Sequence, residues 1–159
     1  MTEGLHKRDI LAVAVELERR GAEFYKDASD RFTGDDQLLL QGLADMEETH
    51  EEWFRQILRG MDEKPPAPGT AGSDPSIREA FFKRIFPADA LAEEGDDFGR
   101  ILEKAMKVEK NAIAFYTEMK KKGDLPSEEE GLDRLIQEER DHLEALSTAL
   151  DRWRERKFV

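Results

Sequence analysis

Cysteine is absent from the 159 residues, which excludes disulfides, thiolate zinc sites and iron–sulfur clusters within this chain. Proline is scarce, and most of the six prolines fall in one stretch, EKPPAPGTAGSDP (63–75), which reads as a loop. Long apolar runs are missing too. ILAVAV (10–15) is far too short to span a bilayer, and the start MTEGLHKRD has no signal-peptide apolar run. A soluble, cytoplasmic protein without a membrane partner is therefore expected. Basic residues are in deficit. The formal net charge of −12 argues against nucleic acid and anionic membranes as partners. No stretch alternates with period two for long enough to make a strand. The length suits one domain, taken as 1–159.

What remains is helical periodicity. Four long segments carry it, at about 5–31, 35–59, 96–122 and 127–156. The connection 60–95 holds SIREAFFKRIF, a short amphipathic helix at about 76–86 stopped by Pro87 and expected to lie across one end of the bundle. Ser76 with Glu79, and Ser127 with Glu130, have capping-box spacing. Short, long and short connections imply two antiparallel hairpins joined by a crossover. The fold expected is all-α, an antiparallel four-helix bundle with the long crossover between its second and third helices.

Each long segment has one apolar stripe in alternating steps of three and four. The stripes are Leu11, Ala14, Glu18, Gly21, Tyr25, Ala28; Leu40, Leu43, Glu47, His50, Phe54, Ile57; Leu102, Ala105, Glu109, Ala112, Tyr116, Met119; and Leu132, Leu135, Glu139, His142, Leu146, Ala149, Trp153. All four turn acidic or imidazole-bearing halfway along. The chain also repeats itself. LERRGAEFY (17–25) matches VEKNAIAFY (108–116), and LADMEETH (43–50) matches LIQEERDH (135–142), at offsets of 91 and 92 residues. A pseudo-two-fold axis between the hairpins would bring Glu18, Glu47, His50, Glu109, Glu139 and His142 to one level.

Six such groups inside a core would be strongly destabilising if left unpaired, since each buried charge costs several kcal/mol. Two divalent cations balance four carboxylates. Glu-x-x-His puts two side chains on one helix face, one turn apart. Two of these pairs plus a glutamate from each other helix form the ligand set of carboxylate-bridged di-metal bundles. Oxygen-rich donors with one imidazole per metal suit iron or manganese.

On these motifs, and over all four long segments, the chain resembles the ferritin-like superfamily, close to its rubrerythrin-like branch. The resemblance implies Glu18 and Glu109 as terminal ligands, Glu47 and Glu139 as bridges, and His50 and His142 each on one metal. It implies two Fe ions, with Mn or mixed Fe/Mn as variants, and an oxidoreductase of ferroxidase or peroxide-reducing type. Dioxygen or hydrogen peroxide would be the oxidant. Tyr25 and Tyr116 would orient carboxylates of the facing helix. Rubrerythrins carry a further glutamate one turn after the third-helix ligand, where this chain has Ala112. Without cysteine there is no rubredoxin domain, so an external electron donor is implied. Bacterioferritin's haem methionine is replaced by Glu48. Only RERKFV follows Trp153, too little for the fifth helix of a storage shell, whereas a homodimer through helix faces is common in such bundles. Alternative readings are a metal-binding, iron-handling protein without turnover, or a bundle serving only as an interaction module. Glu48, Glu51, Glu52, Glu138 and Glu144 lie off the stripes and read as solvated. Trp53 and Trp153 read as packing or subunit contacts.

Overall fold

The computed structural model describes residues 6–62 and 75–157. Five α-helices are present among them: α1 (Lys7–Ser29), α2 (Gly34–Asp62), α3 (Pro75–Ile85), α4 (Phe98–Lys121) and α5 (Glu129–Lys157). There is no strand among the described residues. α1 packs on α2 and α4 on α5, giving two antiparallel hairpins joined by the crossover that carries α3. This is the expected four-helix bundle. The loop stretch 63–74 lies outside the described residues, while Pro75 opens α3.

Both hairpin turns depend on glycine. Gly34 (φ 64°) and Gly123 (φ 65°) occupy the left-handed region that side chains avoid. At the end of α4, Gly123 N–H donates to Lys120 O and Asp124 N–H to Met119 O, which satisfies carbonyls the helix leaves unpaired. Two other glycines admit a tryptophan from a neighbouring helix, Gly99 within the α4–α5 hairpin and Gly131 between α5 and α2. A Cβ on Gly99 would stand 2.3 Å from the Trp153 ring, and one on Gly131 would stand 2.5 Å from Trp53. Both tryptophans therefore pack on glycines of their own chain.

The apolar stripes are buried as their periodicity predicts, from Leu11 to Ala28 on α1 and from Leu102 to Met119 on α4. On α5 the stripe holds as far as Leu146. Beyond it Leu150 takes the buried place, and Ala149 and Trp153 are half-buried. Ion pairs such as Lys26–Glu48 and Lys120–Asp133 lie on the exposed faces.

Three local expectations need correction. Ser76 is already inside α3, which starts at Pro75, so it is not the residue preceding the helix. Ser127 sits in a 3-10 turn, Pro126–Glu128, and α5 starts only at Glu129. Proline after Leu125 favours this tight entrance because it has no N–H to place. The short helix α3 does not cross the bundle end. It lies along the groove between α1 and α4, with Phe81 against Phe115 (ring centroids 5.5 Å) and Asn111 Nδ2 donating to Ile85 O (3.0 Å). Its apolar residues Phe81 and Ile85, and Phe86 just after it, are buried there. Downstream, the buried Lys104 of α4 ties the crossover down by donating to Asp96 Oδ2 (2.6 Å) and Leu91 O (2.8 Å).

Candidate metal centre

Midway along the bundle the apolar layers are interrupted by Glu18 of α1, Glu47 and His50 of α2, Glu109 of α4, and Glu139 and His142 of α5. All six are buried. Their donor atoms fall into two overlapping groups, Glu18–Glu47–His50–Glu139 and Glu47–Glu109–Glu139–His142, with each group's atoms within 4.8 Å of one another. Glu47 and Glu139 belong to both groups. The two imidazoles stack with ring centroids 5.8 Å apart. His142 Nδ1 is 3.3 Å from Glu47 Oε1 and 3.5 Å from Glu139 Oε2.

The outer ends of the cluster are held crosswise. Tyr25 of α1 donates to Glu109 Oε1 of α4 (2.8 Å), and Tyr116 of α4 donates to Glu18 Oε1 of α1 (2.6 Å). Burial, together with the facing carboxylates, raises both phenols well above their ordinary range, so they act as donors. Each tyrosine satisfies one oxygen of its glutamate, and at Glu18 the other, Oε2, faces His50 Nδ1 at 3.6 Å.

Six buried atoms of the cluster lack partners. Glu18 Oε2, Glu47 Oε1, both oxygens of Glu139, and Nδ1 of His50 and His142 are buried without a hydrogen bond. His50 Nδ1 stands 2.9 Å from Glu139 Oε1, but at an angle that makes no hydrogen bond. Buried polar atoms are rarely left so. Six of them around one point, four carboxylate oxygens and two imidazole nitrogens, are what a cation-holding shell requires. The residues present therefore fit a pair of divalent ions.

Without a cation the cluster balances its charge with protons. Burial would keep the His50 imidazole neutral, but the adjacent Glu139 and Glu18 carboxylates overcome it and push its pKa up to about 11. His142 is raised in the same way to about 9, against burial, by Glu109 and Glu139. Burial and the neighbouring carboxylates drive Glu47 and Glu139 well above the usual carboxylate range. Burial also opposes ionisation of Glu109, yet its contacts with Glu139, His142 and Tyr25 hold it at about 2. Glu18 is lowered against burial by Glu47, His50 and Tyr116.

One side of the cluster borders a small cavity. A cavity of about 20 Å³ lies between α1 and α4, bordered by Glu18, Glu47, Glu109 and Glu139 and by the small residues Gly21 and Ala112. It has room for about one molecule the size of water. Phe24 and Phe86 close its outer end, with ring centroids 6.4 Å apart.

The Rubrerythrin family profile matches residues 9–150. The chain belongs to the rubrerythrin family. A crystal structure from Thermotoga maritima, described as a candidate ferritin-like diiron-carboxylate protein, superposes with a TM-score of 0.71 at 28% identity, covering 93% of this chain and 96% of that one. No curated protein is significantly similar. The fold is thus ferritin-like, and in this rubrerythrin-family chain the buried Glu–His cluster is a candidate metal site of the carboxylate type. No described helix is long and apolar enough to cross a membrane.

Sequence reasoning overlooked one residue at the rubrerythrin-family site. Glu138, read as solvated, contacts His50 Nε2 at 2.6 Å. The repeat held the signal, because Glu138 stands opposite Met46 when LIQEERDH is laid on LADMEETH.

Proposed function

We propose that the protein is a di-iron oxidoreductase that uses dioxygen or hydrogen peroxide, with Fe(II) oxidation or peroxide reduction as its reaction. The observation that carries this reading is the set of partnerless inward-facing atoms on Glu18, Glu47, His50, Glu139 and His142, beside a cavity that only a small molecule can enter. Glu18 and His50 would hold one ion, and Glu109 and His142 the other. Glu47 and Glu139, common to both groups, would bridge them. When bound, the ferrous pair supplies the electrons for reducing the oxidant. The protein's own contribution is positional. Tyr25 Oη and Tyr116 Oη fix Glu109 and Glu18 and leave one oxygen of each for an ion. Gly21 and Ala112 keep side-chain bulk away from the face where an oxidant would arrive, and Phe24 and Phe86 exclude bulk water. An external donor would return electrons.

Anaerobic Fe(II) titration of metal-free protein, followed by one pulse of peroxide or air, tests this. About two irons per chain and prompt growth of a near-UV ferric band are expected. Glu47→Ala and Glu139→Ala should each lower the stoichiometry, and Glu48→Ala should leave it unchanged. Equal loss in all three variants would refute the assignment of ligands.

A reading as an iron-holding protein without turnover draws on the phenylalanine closure of the cavity. Ala112→Val separates the two. The added methyl groups fill the cavity, so iron stoichiometry should stay at the wild-type value while oxidation by peroxide slows by roughly tenfold or more. Tight binding with no oxidation in either protein would favour the holding role.

A further inference from the structure

Most of the cluster has a counterpart in the other hairpin, but one contact does not. His50 turns Nδ1 toward the carboxylates and its outer nitrogen, Nε2, toward Glu138 Oε2 at 2.6 Å. Glu138 reaches across from α5, and its side chain is 34% exposed. The 92-residue offset that relates Glu47 to Glu139 and His50 to His142 places Met46 at the corresponding point. Met46 is half-buried and carries a thioether, which is uncharged and a weak acceptor. Among the described residues, no carboxylate reaches Nε2 of His142, and its ion pairs with Glu47, Glu109 and Glu139 all run through Nδ1.

We propose that Glu138 is a positioning residue that makes the two ion positions unequal, so that the one containing His50 fills before the one containing His142. This rests on the di-metal reading above. A metal-binding imidazole must offer a lone pair at the nitrogen facing the ion, with its remaining proton on the other nitrogen. A carboxylate on that outer N–H selects the tautomer, fixes the ring plane and makes the inward nitrogen more basic. His50 has all three effects from Glu138. His142 must rely on solvent or on none, so its inward lone pair is less prepared. Outer partners of this kind are worth about 10–100-fold in metal affinity. Because Glu138 is partly solvated, the lower end of that range applies here.

The test is anaerobic titration of metal-free protein with Co(II), whose visible bands report each position's ligand geometry, repeated with Fe(II). Wild type should fill in two steps separated by about tenfold. Glu138→Ala should weaken the first step by about that factor, leave the second in place and merge the two. Glu138→Gln, which retains a neutral acceptor, should fall between. Met46→Glu should strengthen the weaker step and merge the steps from the other side. It needs no removal of a native contact, so it decides the matter even if Glu138→Ala folds poorly. In Zn(II)-loaded protein, the His50 Nε2 proton should be downfield and slow to exchange, and Glu138→Ala should abolish both properties. A wild type that fills in one unresolved step, or a Glu138→Ala that weakens both steps equally or neither, would overturn the inference and leave the di-metal site standing. A wild type that binds no ion would overturn both.

Discussion

Anaerobic addition of Fe(II) to the metal-free protein is expected to raise its melting temperature by about 10–20 °C. The partnerless atoms at the centre of the bundle are costly in the absence of an ion, and the ion binds the folded state alone. The unfolded chain has no cysteine with which to compete for it. At a hundredfold excess over its dissociation constant, each ion contributes about 2.7 kcal/mol, so two contribute about 5 kcal/mol. For a domain of this size one kcal/mol moves the midpoint by roughly 2–4 °C. Mg(II) at equal concentration should do far less, since it prefers six oxygens and retains its water. Scanning calorimetry with and without Fe(II) is the measurement. An unchanged midpoint at saturating iron would mean that the cluster does not bind it.

A second large effect is the release of about four protons when two ions bind near neutral pH. Raised pKa values of about 11 and about 9 leave His50 and His142 protonated in the metal-free protein. Glu18 and Glu109 are held ionised, so a neutral cluster needs the remaining two protons on Glu47 and Glu139, whose pKa values are driven upward. Two dications then replace four protons without changing the net charge. Calorimetry in buffers of different ionisation enthalpy counts the protons. Affinity for the ion pair should fall by roughly 10⁴ per pH unit on acidification. A release of two protons or fewer would show that the metal-free cluster is already largely ionised.

The metal-free protein should have the opposite pH preference. Histidines with raised pKa stabilise the fold fully below about pH 6.5, and that contribution disappears as pH rises through about 9 and 11. The raised pair Glu47 and Glu139 acts in the same direction from about pH 4.5 upward. Lowered Glu18 and Glu109 stabilise above about pH 4.5, and for Glu109 this is lost as pH falls through about 2. The melting temperature in chelator should therefore peak near pH 4.5 and decline from there into the alkaline range, more steeply above about pH 6.5.

Much of this was legible in the sequence because the bundle obeys a single period. Steps of three and four fix the phase of each helix, and the phase alone brings the six donors together. The Glu-x6-Tyr spacing likewise put each phenol within reach of the opposite hairpin. The features that escaped depend on information outside the stripe. Glu138 precedes Glu139 by one residue and is rotated about a quarter-turn away from it, so its contact with His50 depends on how closely α2 and α5 pack. Phe86 closes the cavity because the crossover lays α3 along the α1–α4 groove, a path that no local pattern encodes. Lys104, which lies off the α4 stripe, is buried because the crossover folds over it and supplies Asp96 and the Leu91 carbonyl.

The crossed tyrosine bonds have a consequence for the origin of the chain. Where Tyr25 reaches Glu109 and Tyr116 reaches Glu18, contact and counter-contact are the signature of an isologous interface. A single hairpin paired with an identical copy would generate the same six donors, and this chain has the form of such a dimer made continuous. Covalent joining frees the halves to diverge. A symmetric dimer cannot carry a carboxylate at one position and a thioether at the equivalent one, whereas this chain, with Glu138 and Met46, does.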